Sequence, residues 1–214
     1  MDSLNFDSNN KKGDSEIFYC LMHSDTNNNG TYEEGVSRDF EFRLLPNKLY
    51  FTKDNFIKNF ITFDTVLVPK TDIVTNSDWI KIADMDANSW IVIDQDLDFD
   101  FPEYKVTVIG SIKVDVSKVE STKELIINNI NYSAHGFNIN YHLEGVGERE
   151  NYSSEFNVII DRSTVIWYID GVGIAEIDNS SWKTTTNHTS VKFPMIEAEN
   201  SKLVRFFNQN VVQE

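Results

Sequence analysis

The feature that most constrains this chain is alternation. Phe137, Ile139, Tyr141 and Leu143 take turns with Asn138, Asn140, His142 and Glu144. Successive side chains of a strand point to opposite faces, so this run has one apolar and one polar face. The same period of two recurs at Phe40–Leu44, at Asp96–Phe101 and at Ile112–Ser117. Runs at Ile61–Val68, Trp90–Ile93, Phe156–Ile160 and Val165–Ile169 are apolar on both sides and read as central strands. Helical signals are few. Thr52 is placed to cap a short helix over Asp54–Phe60, and Ser121–Ile130 fits either a helix or a strand.

Turn residues punctuate the strands at Asn29-Gly30, Leu45-Pro46-Asn47, Phe101-Pro102-Glu103, Gly145-Val146-Gly147 and Asp170-Gly171. Roughly ten to fourteen short strands spaced in this way predict an all-β fold. The expected form is an antiparallel two-sheet jelly-roll sandwich, with a lipocalin-like β-barrel as the alternative. Residues 1–15 are polar and are expected to be a flexible N-terminus ahead of a single β-sandwich domain over 16–214.

Charge narrows the partners. Lys and Arg number 19 against 34 Asp and Glu, a formal net charge of −15. Nucleic-acid affinity rests on neutralising phosphates, so no nucleic-acid partner is expected, and anionic membranes are disfavoured for the same reason. Neutral carbohydrate, other neutral small molecules and divalent cations stay open. Cys20 is the single cysteine, which excludes an intrachain disulfide and a cysteine-rich zinc site. No apolar run approaches the roughly 18 residues of a membrane-spanning helix. The N-terminus carries no basic-then-apolar leader, so the expected compartment is the cytoplasm, or the outside of the cell for a mature secreted form.

The segment Phe156–Ile177 reads as strand, return strand with Trp167-Tyr168-Ile169, an Asp170-Gly171 turn and a third strand, with a first turn expected at Asp161-Arg162-Ser163. This segment resembles the hairpin of the concanavalin A-like jelly rolls, in particular family 16 glycoside hydrolases and laminin-G-like modules. The resemblance covers residues 155–177 and implies two antiparallel sheets with a carbohydrate groove on the concave face. The hydrolases of that group carry a Glu-x-Asp-x-(x)-Glu strand. The nearest counterpart here is Asp96-Leu97-Asp98-Phe99-Asp100, which departs from it.

In a divergent hydrolase, Asp100 would be the acid, Asp96 the nucleophile and Asp98 the group tuning both. Strand rise sets the outer two about 13 Å apart, whereas a retaining pair needs about 5–5.5 Å. The resemblance therefore implies glycan binding first and hydrolysis second. A third alternative is a β-barrel binder or cyclase-like enzyme for an apolar small molecule, lined by Phe and Tyr. A structural protein whose acidic surface confers solubility is a fourth.

Candidate ligand contacts follow from side-chain chemistry. Asn138, Asn140 and His142 offer fixed donors and acceptors to sugar hydroxyls. Trp90, Trp167, Tyr168 and Trp182 offer flat faces for C–H-rich sugar surfaces. A calcium site is suggested by Asp25-x-Asn27-x-Asn29-Gly30, whose hard oxygens alternate before a sharp turn. Its twelfth position is Val36 and not a bidentate Glu, so Glu33 or Glu34 would have to complete it. Asp84, Asp86 and Asn88 alternate similarly without the glycine. The four histidines show no metal-binding spacing.

Overall fold

The computed structural model describes residues 2–12, 15–23, 38–62, 66–127, 129–150, 155–180, 182–187 and 199–202, with side chains between Phe42 and Asn187. The strands are β1 (Asp2–Lys12), β2 (Ser15–His23), β3 (Arg38–Leu45), β4 (Lys48–Thr52), β5 (Val68–Pro69), β6 (Trp79–Asp84), β7 (Ser89–Phe101), β8 (Val106–Ile127), β9 (Ile130–Arg149), β10 (Phe156–Ile169), β11 (Gly173–Asn179), β12 (Lys183–Thr186) and β13 (Glu199–Lys202). The expected all-β, antiparallel class is what forms. The strands join in one hydrogen-bonded path, β5-β7-β8-β9-β10-β11-β13-β1-β2-β3-β4-β6, with β12 added beside β10. The sheet curls so that β6 returns against β8 and β9, making a half-barrel around a shared core. Its two halves meet at the short β13, which is antiparallel to β11 and parallel to β1.

Alternation fills the inside. Val108, Ile112, Val114 and Val116 of β8 face inward beside Phe137, Ile139, Tyr141 and Leu143 of β9, and all eight are buried. Each such side chain contributes about 1.5–3 kcal/mol by leaving water. Trp182 closes the core from the link between β11 and β12, stacking on Tyr141 at 6.4 Å between ring centroids.

Several expectations are corrected. Residues 2–12 are not a free tail but β1, hydrogen-bonded to β2. The turn expected at Asp161-Arg162-Ser163 does not exist, because β10 runs unbroken to Ile169. The sequence there keeps its period of two: Asp161 faces out, while Arg162 turns in and donates from Nε to the Ser180 carbonyl at 3.1 Å. The Gly145–Gly147 turn is likewise absent, since β9 continues to Arg149. The strand expected over Ile61–Val68 shrinks to β5, with Ile61 ending a helical segment.

That segment begins at Thr52 as expected. The Thr52 hydroxyl accepts from the Asn55 backbone N–H at 3.4 Å and from Asn55 Nδ2 at 3.0 Å. One α-turn, α1 (Lys53–Phe56), then widens into a π-turn over Ile57–Ile61 that buries Phe60 and Ile61. Ser121–Ile127 and Ile130 resolve in favour of strand, as the outer part of the β8–β9 hairpin.

Candidate functional site

Strand β7 places the acidic run. Leu97, Phe99 and Phe101 are buried, so Asp96, Asp98 and Asp100 share the opposite, outer face of the sheet. They lie outside the curl and not in a concave interior. Asp100 is engaged already: Thr107 Oγ1 donates to its Oδ1 at 2.6 Å, and the Lys70 ammonium stands 3.2 Å from the same oxygen.

The sheet register assembles partners that lie far apart in sequence. Asp96 is opposite Ser111, Ser111 opposite Glu144, and Glu144 opposite Ile159. The next row is Asp98, Ile109, Val146 and Asn157. These rows surround an open depression of about 630 Å³, lined by Asp96, Asp98, Ile109, Gly110, Ser111, Glu144, Gly145, Asn157, Val158 and Ile159. No lysine or arginine is among its lining residues. A second depression of about 620 Å³ continues along the same strands past Asp100, Thr107 and Glu148.

A glycine pair lies in the lining of the depression. Gly110 and Gly145 are register partners, and a Cβ on Gly110 would lie 2.0 Å from the Glu144 carbonyl oxygen. A Cβ on Gly145 would lie 2.4 Å from the Ile109 carbonyl oxygen. Only glycine lets the two backbones coil together this closely.

Asn138, Asn140 and His142 extend the polar face of β9. Asn138 Nδ2 donates to Asn140 Oδ1 at 2.8 Å, and Asn140 Nδ2 donates to Asp115 Oδ2 at 2.9 Å. Ser163 Oγ donates to Asn138 Oδ1. The His142 ring lies between two carboxylates, with Nδ1 at 2.7 Å from Asp161 Oδ1 and Nε2 at 3.6 Å from Glu144 Oε2. These side chains hold one another, so the ladder is oriented before any ligand arrives.

The four aromatic candidates divide. Tyr168 is fully buried and donates from its hydroxyl to Asp170 Oδ1 at 2.8 Å. Burial, then that carboxylate's hydrogen bond and charge, push its phenol upward. Burial alone does the same to Tyr141. Trp182 is core, and Trp90 is anchored by donation from Nε1 to the Lys81 carbonyl at 2.9 Å. None of these three is placed as a stacking platform. Trp167 is on the outer face, but its indole N–H donates to Asp178 Oδ2 at 2.8 Å and the Lys123 ammonium covers its ring at 5.1 Å.

The calcium candidate Asp25, Asn27, Asn29 and Glu33 lies outside the described residues. The weaker one at Asp84 is committed elsewhere: Lys81 Nζ sits 2.8 Å and Lys48 Nζ 3.9 Å from Asp84 Oδ2, and the Asp86 N–H donates to Oδ1. Burial alone would raise this carboxyl, but those donors and charges outweigh it and hold Asp84 below the usual carboxylate range.

Sequence reasoning missed Ser111, Asn157, Ile109 and Ile159 as neighbours of the acidic run. The signal available was Gly110 and Gly145, isolated glycines inside alternating strands, which mark a bend or a close backbone approach.

No family model and no curated protein matches this chain. Among solved structures it is similar to a protein of Parabacteroides distasonis ATCC 8503, provisionally classed as a lipoprotein, with 11% identity and a TM-score of 0.45. The alignment covers 92% of this chain and 86% of that one. Among the described residues no helix is long and apolar enough to cross a membrane.

Proposed function

We propose that this protein is a glycan-binding module that takes a neutral, hydroxyl-rich carbohydrate on the outer face of β7–β10. The observation that carries the reading is the depression over Gly110 and Gly145. Its carboxylates and the Asn157 amide accept from or donate to hydroxyls, while Ile109 and Ile159 present apolar surface to C–H faces. With no cation in the lining of this depression, an anionic ligand finds no counter-charge there. The second depression beside Asp100, whose lining includes Lys105 and Arg149, prolongs the path along the strands, which suits an extended chain of sugars. In this reading the groove lies on the outer face and not on the concave one that a jelly-roll resemblance implies.

Calorimetry against a panel of β-glucans and galactans tests the proposal. Binding weakened by Asn157→Ala, about two- to tenfold for one lost hydrogen bond, supports it. Silence across the panel ends it.

A second reading is favoured by one geometric fact. Asp96 and Glu144 flank Ser111 across a single intervening strand. That sets their Cα atoms about 9.5 Å apart on one face, a span from which the two side chains can lean toward the carboxyl separation of about 6.5–9.5 Å that inverting glycosidases use. Release of reducing ends that disappears in Asp96→Asn supports hydrolysis. Release unchanged in that variant removes Asp96 from the role.

A further inference from the structure

We infer that Glu176 and Asp178 of β11 hold a hard, oxygen-ligated cation where the two halves of the sheet join. The inference is independent of the glycan site, which lies on β7–β10. Glu176 and Asp178 are two residues apart on one strand, so they emerge on the same face, with Cα atoms about 6.7 Å apart. Each turns one oxygen toward Lys123. The Lys123 ammonium is 2.8 Å from Glu176 Oε1 and 3.6 Å from Asp178 Oδ2. The Trp167 indole N–H donates to that same Asp178 oxygen.

The other oxygen of each carboxylate is left over. Glu176 Oε2 and Asp178 Oδ1 are both shut off from solvent and have no hydrogen-bond partner. The Glu176 side chain as a whole is only 7% exposed. A buried carboxylate oxygen without a partner is costly, and such an atom in a native protein calls for an ion or a water.

Charge points to the ion. Among the described side chains two carboxylates face one ammonium, which leaves one negative charge uncompensated there under partial burial. A water would satisfy the lone pairs but leave that charge in place. A cation on the side away from Lys123 supplies both needs. Oxygen-only donors select hard ions of the calcium or sodium kind and not zinc or copper. Among the described residues no group of three or more His, Cys, Asp or Glu side chains is arranged for a metal, so two carboxylates are the acidic part of the shell and water completes it. Such a site is weak, working at about 0.1–1 mM for calcium.

The location gives the ion a role. β11 is antiparallel to β13 through Glu176↔Lys202 and Asp178↔Asn200, and β13 in turn meets β1. A cation at this point holds the junction together.

The test is thermal unfolding of the full chain in choline chloride, sodium chloride and calcium chloride at matched ionic strength. The expected result is a rise in Tm of about 3–5 °C with calcium near 10 mM, or a smaller sodium-specific rise, relative to choline. A calcium-only rise assigns the divalent ion, and a sodium rise assigns the monovalent one to the same oxygens. The rise disappears in Glu176→Gln. Should that variant fail to fold, Asp178→Asn, at the more exposed carboxylate, replaces it. Equal behaviour in choline overturns the inference. A calcium or sodium effect that survives in the variant also overturns it, by placing the ion elsewhere.

Discussion

Replacing Gly110 by alanine adds one methyl group at a position with no room for it. The new carbon would stand 2.0 Å from the Glu144 carbonyl oxygen, 2.6 Å from Gly145 Cα and 2.9 Å from the Glu144 carbonyl carbon. All three obstacles are backbone, so no rotamer change relieves them. An ordinary contact at these atoms is about 3.4 Å or more, so β8 and β9 must part by about 1.4 Å. Overpacking of this kind costs about 1–3 kcal/mol, and each ladder hydrogen bond lost nearby adds about 1 kcal/mol. We expect a loss of about 3–4 kcal/mol, a large share of a total stability of about 5–15 kcal/mol.

Urea or guanidinium unfolding, read as a fall in midpoint at constant slope, measures it. Gly171→Ala is the control. Nothing lies within 4 Å of its added carbon, but φ is +74°. Its cost is therefore the left-handed backbone penalty of about 1–2 kcal/mol. A Gly110→Ala loss below about 1 kcal/mol, or one no larger than that of Gly171→Ala, would refute the argument that the two strands coil too closely for a Cβ.

Trp182→Ala should cost about 3–5 kcal/mol in the same assay, since it removes the ring stacked on Tyr141 from the core. Asp84, held below the usual range, contributes stability that is fully present above its unfolded value of about 3.9 and is lost as pH falls through its folded value. Between about pH 5 and pH 2 the wild type should therefore lose more stability than Asp84→Asn, as followed by acid-dependent unfolding. Asp100→Asn should change thermal stability by less than about 1 kcal/mol, because its Lys70 partner is solvent-exposed.

The strands were legible because alternation is local. Phe137–Glu144 announces β9 and its two faces from eight consecutive residues. Thr52 announces the helix start because a cap acts within three residues. The false turns have one cause: Asp161-Arg162-Ser163 and Gly145-Val146-Gly147 are turn-like in composition. In the fold, Arg162 finds the Ser180 carbonyl and Gly145 finds Gly110, partners that sequence order does not reveal. The candidate site was half visible for the same reason. Asp96 and Asp98 declare themselves on one strand, but Glu144 and Asn157 join them only through the register of β8, β9 and β10. The aromatic residues misled because Trp and Tyr suit a core as well as a sugar face, and local sequence does not separate the two for Tyr168 or Trp182.

The central claim, that ligand is taken over the Gly110–Gly145 pair, is tested most directly by amide chemical shifts of the labelled protein titrated with a neutral oligosaccharide. Saturable shifts centred on Gly110, Ser111, Gly145 and Asn157 are expected. Shifts that cluster instead on inward-facing residues such as Tyr141, or no shifts with any neutral sugar, would contradict it.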